Sequence, residues 1–471
     1  MTINAYRTLF VGTLRQTTAL SVGGRDLPSV TDAPLCRDGR GRFTLRGQTL
    51  AGALVATARR LGDLPTFISG DVTQQNNKQM PPPSRWRSFA SHPEGEPASE
   101  IRQHVGIDPK TGAAMETGLF NLEVLPAGTC WPFLLEVDSS GEDGGLAEAI
   151  AWRALKEWQA GRGYIGREVA RGLGWIRLDG LYVVRLDINI PDHIDAWPNA
   201  ERSDDYPAYV AELMQRFYSA RPERVLNDKS TAATLELPFS ISVGIRDKGY
   251  GLDSLSIGGH AESEVMASWQ DTHYLAPTSL KPEQRAGLFD PDFALVMTTV
   301  NGVRRPFIPG SALRGPLRHA LERHYRANRL WATYESRLRQ FFGALGNEKS
   351  GKPANEEVSN AYAAALLVSD AELVDGHWQA AWFQLHAEDE FTAGAYGSSK
   401  FDRLALIDAK FTGRLVLETA NAEQEQDFQY LLDTLQTLAK RGDIAIGGGQ
   451  WRGHGWVSWQ FDEPRRTGAN P

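Results

Sequence analysis

Residues Ile165–Trp175 read IGREVARGLGW, and residues Ile446–Trp456 read IGGGQWRGHGW. Six of the eleven positions are shared: Ile-Gly, four residues, Arg-Gly, one residue, Gly-Trp. The two copies lie near the ends of the two halves of a 471-residue chain, so the fold this sequence allows is one built twice. Length agrees, because a single hydrophobic core stops growing at roughly 250–300 residues.

Other paired segments extend the duplication. LSVGG at Leu20–Gly24 matches LSIGG at Leu255–Gly259, each closing a stretch rich in β-branched residues. RGQTLAGAL at Arg46–Leu54 matches PGSALRGPL at Pro309–Leu317, and each leads into a helical run. Gln48 and Ser311 are the capping candidates there, Ser311 being the better N-cap. Such a helix start offers free amides and the positive end of the dipole, which suits a phosphate. His104–Val124 sets DPKTG turn chemistry between strand-like runs and predicts a hairpin. Its weaker counterpart runs from His386 to Glu418, placing His104 and His386 at matching positions.

A helix is predicted before each glycine-arginine motif, over Gly145–Gln159 and Glu423–Lys440. In the second, Phe428, Leu431, Leu432, Leu435 and Leu438 fall at helical spacing. Each half therefore reads strand, helix, two strands, helix, strand. That is an α+β chain of two tandem ferredoxin-like domains, the order shared by RRM-type RNA binders. The predicted boundaries are 1–186 for the first domain, 187–232 for a linker with a helix near Tyr206–Ser219, 233–462 for the second domain and 463–471 for a flexible tail. Gly70–Ser99 and Gly343–Asn360 read as inserted loops.

Charge is unevenly spread. The chain carries a net −8, yet Pro34–Arg60 holds six arginines against Asp38, and Gly302–Arg329 holds seven against Glu322. Two arginine-rich runs at equivalent repeat positions favour a polyanion surface over a merely solvated helix face. The two cysteines, Cys36 and Cys130, make neither a disulfide framework nor a zinc site and suit a reducing cytoplasm. No apolar run reaches the roughly 20 residues that span a bilayer, so no membrane partner is expected.

The entry motifs, HVGIDPKTGAA and the paired glycine-arginine loops together resemble the RAMP superfamily of CRISPR-associated proteins, and more narrowly the backbone subunits of type III effector complexes. In that family the entry motif reads like IPGSSLKG and the late glycine-rich loop contacts crRNA. The resemblance therefore implies contacts to a guide RNA (crRNA) from Arg37, Arg46, Gly47 and Gly52 and from Gly166, Arg171, Gly172 and Gly174. In the second half it implies them from Gly310, Ser311, Arg314 and Gly315 and from Gly447, Gly448, Arg452, Gly453 and Gly455. It further implies a complementary target RNA and other CRISPR effector subunits as partners. In such subunits an acid shortly before the entry motif cleaves the target, within a pattern like Asp-Asn-Pro-Val-x-Arg-Asp. TDAPLCRD at Thr31–Asp38 carries that role to Asp32, which would also hold a divalent cation, Mg²⁺ or Mn²⁺. DPDF at Asp290–Phe293 carries it to Asp292, without the following proline and arginine.

Plainer readings stand beside these. Asp32 before Ala-Pro is also a common turn opener. His104 reads either as a hydrogen-bonded structural residue or as an acid-base group of a guide-maturation endoribonuclease. Arg171 and Arg452 either brace a tight glycine turn or leave flanking amides to phosphates. A non-catalytic crRNA scaffold is a further alternative. A metabolic nucleotide-binding enzyme is disfavoured, because GNEKSGKP at Gly346–Pro353 places Pro353 where a P-loop needs Ser or Thr. His319, Glu322 and His324 do not match zinc-site spacing.

Overall fold

The structure is a computed structural model that describes residues 5–24, 31–69, 84–107, 114–140, 145–187, 189–196, 206–219, 233–244, 254–259, 274–275, 291–300, 302–343, 364–388, 391–392, 394–419 and 422–467. The DPKTG turn, Asp290 and the P-loop-like segment lie outside them.

In the first half, Ala5–Gln16 is the central strand, flanked by Cys130–Ser140 and Trp175–Asp187, both antiparallel to it. Trp86–Ser88 completes the sheet beside Cys130–Ser140. Side chains alternate across this strand, as the pleat requires. Phe10 and Leu14 pack in a core with Leu50 and Leu54 of the helix Gly47–Leu61 and with Leu155 and Trp158 of the helix Leu146–Gln159. Leu9 faces the other way, against Leu213 of the helix Tyr206–Phe217. The predicted linker helix is thus the cover of the first sheet's second face.

The second half repeats the plan. Leu366–Val368, Ala395–Thr419, Ala233–Val243 and Ser458–Phe461 lie side by side in that order. Helices Gly310–Ala327 and Ala422–Arg441 join them in one core through Leu313, Leu317, Leu321, Phe428, Leu432 and Leu435. Both halves therefore have the ferredoxin-like arrangement, and among the described residues no helix is long and apolar enough to cross a membrane.

Four expectations change. The hairpin Glu100–Ile107/Ala114–Val124 forms its own two-stranded sheet and does not supply the middle core strands of the first domain. Those are Trp86–Ser88, inside the predicted Gly70–Ser99 insertion, and Cys130–Ser140; Pro126 and Gly128 break the chain between hairpin and core. In the second domain no such break occurs, so the hairpin strands Ala371–Glu388 and Ala395–Thr419 run on into the core sheet.

His104 and His386 are not equivalent. His104 pairs with Phe120 and Leu385 with Phe401, so His386 sits one register step away, on the opposite face. Nor does Ser311 cap its helix. The helix starts at Gly310 behind Pro309 with no side-chain cap, and the Gly310 amide donates to Asp370 Oδ1 at 2.8 Å. Finally, the tail begins as a strand: Arg465–Thr467 pairs with Thr234–Glu236, and Arg466 meets Glu425 at 3.2 Å.

Candidate nucleic-acid interface

The shared pattern of the two loops has a position-by-position physical cause. Ile165 and Ile446 are core residues. Gly166 (φ +90°) and Gly447 (φ +76°) lie so close to the Ser21 and Ser256 carbonyls that no β-carbon fits. Each loop then makes one 3-10 turn, Val169–Arg171 or Gln450–Arg452, closed by a left-handed glycine, Gly172 or Gly453. Gly174 and Gly455 in turn abut the Ile165 and Ile446 carbonyls. Each loop ends on an indole that donates back to its turn: Trp175 to the Val169 carbonyl at 2.9 Å and Trp456 to the Gln450 carbonyl at 3.3 Å.

The two loops differ in what they face. The first docks onto the second domain. Gly172 lies against Asp370 and the Arg171 carbonyl against Gly310, while Trp175, Val169 and Ala170 pack with Leu367 and Val416. Arg314 spends its guanidinium on the Ala170, Leu366 and Phe342 carbonyls at 3.0, 2.7 and 2.6 Å, and burial pushes its pKa down to about 10. This arginine is therefore a clamp between domains rather than an exposed contact. A buried ion pair, Arg102 to Asp370 at 2.8 Å, ties the first hairpin to the same place. The second loop stays more open: Trp451 is 96% exposed, and a β-carbon at Gly453 would meet none of the described residues within 4 Å.

Each loop stands beside one of the two candidate carboxylates. The exposed Asp32 accepts the Asn121 amide at 2.8 Å, and the Asp32 amide donates to Asn121 Oδ1 at 2.8 Å. The exposed Asp292 accepts the Asp402 amide at 2.8 Å. The next residues repeat the relation, Ala33 bridging Leu122 and Phe293 bridging Arg403, both parallel. Asp32 and Asp292 are thus equivalent positions on equivalent hairpins. They differ in their partner: Asn121 is neutral, whereas Asp402 is a second carboxyl whose pKa is raised by burial and by Asp292. In the second domain Arg452 lies over the Phe401 ring at 5.1 Å, so the second loop packs on the same hairpin strand that carries Asp402.

The remaining expected contacts divide. Arg46, Gly52 and Arg452 are exposed, and a β-carbon at Gly52 or Gly315 would meet none of the described residues within 4 Å. Arg37 is held by Glu123 at 2.8 Å and Arg171 by Glu168 at 2.8 Å. Gly47 is pressed on the Ser88 carbonyl, so its role is packing, as is that of Gly310. His104 stacks on Phe120 at 5.0 Å, and its Nε2 is buried with no hydrogen-bond partner among the described residues. Among the described residues no three His, Cys, Asp or Glu gather as a metal-ligand set. A lone carboxylate such as Asp32 fits a Mg²⁺ that takes its other ligands from water and RNA phosphates.

His104, His319 and His454 share one property: burial is the largest cause lowering each pKa below the ordinary 6.5. On unfolding they regain that value and take up protons the folded chain refuses. Folding stability is therefore expected to fall as pH drops below about 6.5, measured as a declining Tm across pH 7 to 5. A Tm that is flat over that window would contradict the burial.

These features define a class, a tandem of ferredoxin-like domains with paired loops and carboxylates on equivalent elements. Comparison with known families matches the RAMP superfamily over residues 13–177 and again over 294–458, more than two thirds of the chain. The chain belongs to the RAMP superfamily of CRISPR-associated RNA-binding proteins, with two fused RAMP domains. No curated protein matches it.

Proposed function

We propose that the chain is a double backbone subunit of a type III CRISPR effector complex, holding crRNA along both halves and cutting the complementary target RNA. The observation that carries this reading is one grouping met twice: an exposed carboxylate, a hairpin and a glycine-arginine loop. Guide phosphates would meet exposed cations around Arg452 and Arg46 and the exposed first turn at Gly52. Base pairing, not protein contacts, would read the sequence.

Cleavage is a transesterification. The target 2′-oxygen forms a bond to the adjacent phosphorus, the bond from phosphorus to the 5′-oxygen breaks, that oxygen takes a proton from water and leaves as a hydroxyl, and a 2′,3′-cyclic phosphate remains. Asp32 accepts the 2′-hydroxyl proton, its orientation fixed by the two bonds to Asn121. Bound at Asp32, a divalent cation would neutralise charge on the phosphate. In-line attack requires the strand to be bent, and the first hairpin offers a suitable wedge. Leu119 is 70% exposed, beside Val105 and Met115, on the hairpin that carries Asn121. Apolar side chains of this kind unstack bases.

The reading is tested by RNA binding at graded salt and by mapping cuts in the assembled complex. Arg452→Ala is expected to weaken guide binding and reduce the log–log salt slope by about one unit. Arg171→Ala should change the slope less, because Glu168 already neutralises that side chain. Equal slopes for wild type and Arg452→Ala, with a lower Tm, would identify Arg452 as a turn brace.

A further inference from the structure

Around their loops the two repeats align residue for residue, because the same bridges recur. Leu20 bridges Leu125 as Leu255 bridges Leu406, and Ala33 bridges Leu122 as Phe293 bridges Arg403. In the first repeat Leu122 and Leu173 belong to a closed apolar cluster with Ala19, Ala33 and Val124. Their counterparts in the second repeat are Arg403 and His454, which are 7% and 3% exposed. The first repeat shows that the fold is content with leucine at both places. Polar residues there cost stability unless they meet a partner.

Among the described residues Arg403 meets no charged partner of opposite sign. Its guanidinium reaches Ser256 Oγ at 3.1 Å and lies over the Phe293 ring at 4.5 Å. Its Nε is buried and has no hydrogen-bond partner among the described residues. Among the described residues no carboxylate pairs with it, and the charge that acts on it is another cation, Arg452. His454 is fixed by Ser254 Oγ at 2.7 Å, and the charges acting on it are the same two cations, Arg403 and Arg452. A third difference points the same way. Glu168, which neutralises Arg171 in the first loop, corresponds to Gly449 in the second. A β-carbon at Gly449 would press on His454 and on the Arg403 guanidinium, so the glycine keeps that space open.

We propose that Arg403 and Arg452 together seat one phosphate of a bound RNA strand at the second repeat, and that the first repeat has no such seat. The proposal rests on the RNA-binding reading above and makes the two halves unequal. An anion between the two guanidiniums supplies the counter-charge the protein withholds, and the planar fork of arginine suits bidentate contact to phosphate oxygens. The first repeat, with Leu122 and the Glu168–Arg171 pair, positions the strand without this grip.

The test is equilibrium binding of a labelled single-stranded RNA to the full chain at several salt concentrations, with Tm measured in parallel. Arg403→Leu copies the first repeat, so it is expected to keep or raise Tm. It should weaken binding by about tenfold and lower the salt slope by about one unit. Should Arg403→Leu fail to fold, Arg403→Gln, which retains a donor for Ser256 and loses the charge, decides by the same slope criterion. An unchanged affinity and slope in the folded variant overturns the seat. If the wild-type chain does not bind RNA, the RNA-binding reading fails first and the seat falls with it.

Discussion

Replacing Asp370 with Ala is expected to destabilise the chain by about 3–5 kcal/mol, the range for removing one partner of a buried ion pair. Arg102 is 6% exposed, and among the described residues its guanidinium meets this carboxylate and the Phe307 ring at 4.5 Å. Without Asp370 the guanidinium stays buried with no counter-ion, and the Gly310 amide loses its acceptor at the start of the second entry helix. The loss falls at the junction of the two domains, where Gly172 lies against Asp370. Removing both charges, as Arg102→Met with Asp370→Leu, should recover most of the loss, because no unpaired charge remains. Urea unfolding followed by tryptophan fluorescence reads both effects, since Trp175 is 1% exposed in the same interface. A single-mutant cost below about 1 kcal/mol would mean that water reaches the pair.

That junction was not legible in the sequence, and the reason is physical. Arg102 and Asp370 are 268 residues apart, and neither sits in a repeated motif. Their counterparts, Phe383 and Ala90 by strand register, carry no charge. An interdomain contact need be made only once, so a repeat comparison discards it. The loops were legible because each conserved position answers a local demand, a positive φ or a carbonyl too close for a side chain, and such demands survive duplication. Trp86–Ser88 escaped because three residues show no alternation. The residues around DPKTG looked more like core strands, since the free hairpin has the stronger strand pattern.

Register explains why His386 is not the equivalent of His104. Two strands of different length align by letters as readily one step off as in step, yet one step reverses the face. Phe120 and Phe401 were the better guides, each paired across its hairpin with the residue after a glutamine, Gln103 or Gln384. The candidate acids came from the family resemblance rather than from spacing, since an Asp before Ala-Pro reads equally as a turn opener. Asn121 and Asp402, which hold them, lie 89 and 110 residues further on and have no sequence signal of their own. Arg403 and His454 were hidden for the opposite reason: they are departures from the repeat, and a search for likeness passes over departures.

Asp32→Asn is expected to remove one target-RNA cut from the assembled complex, slowing it by roughly 10²–10⁴-fold, the usual contribution of a positioned proton acceptor. Asparagine keeps an oxygen for the Asn121 amide, so loop geometry, Tm and guide binding should all persist. What it lacks is the basicity to take a 2′-hydroxyl proton and the charge to hold a cation. Asp292→Asn should remove a second, separate cut if the equivalent carboxylate works alike, and the double variant both. Asp402→Asn turns the second pair into a copy of the first, in which Asn121 already fills that place, so cutting there should continue. Products resolved on a gel with and without EDTA separate the acid from the cation, since chelation should stop both cuts in the wild type. Undiminished cutting at every position in the Asp32→Asn, Asp292→Asn complex would leave the two carboxylates as turn supports and the chain as a crRNA scaffold.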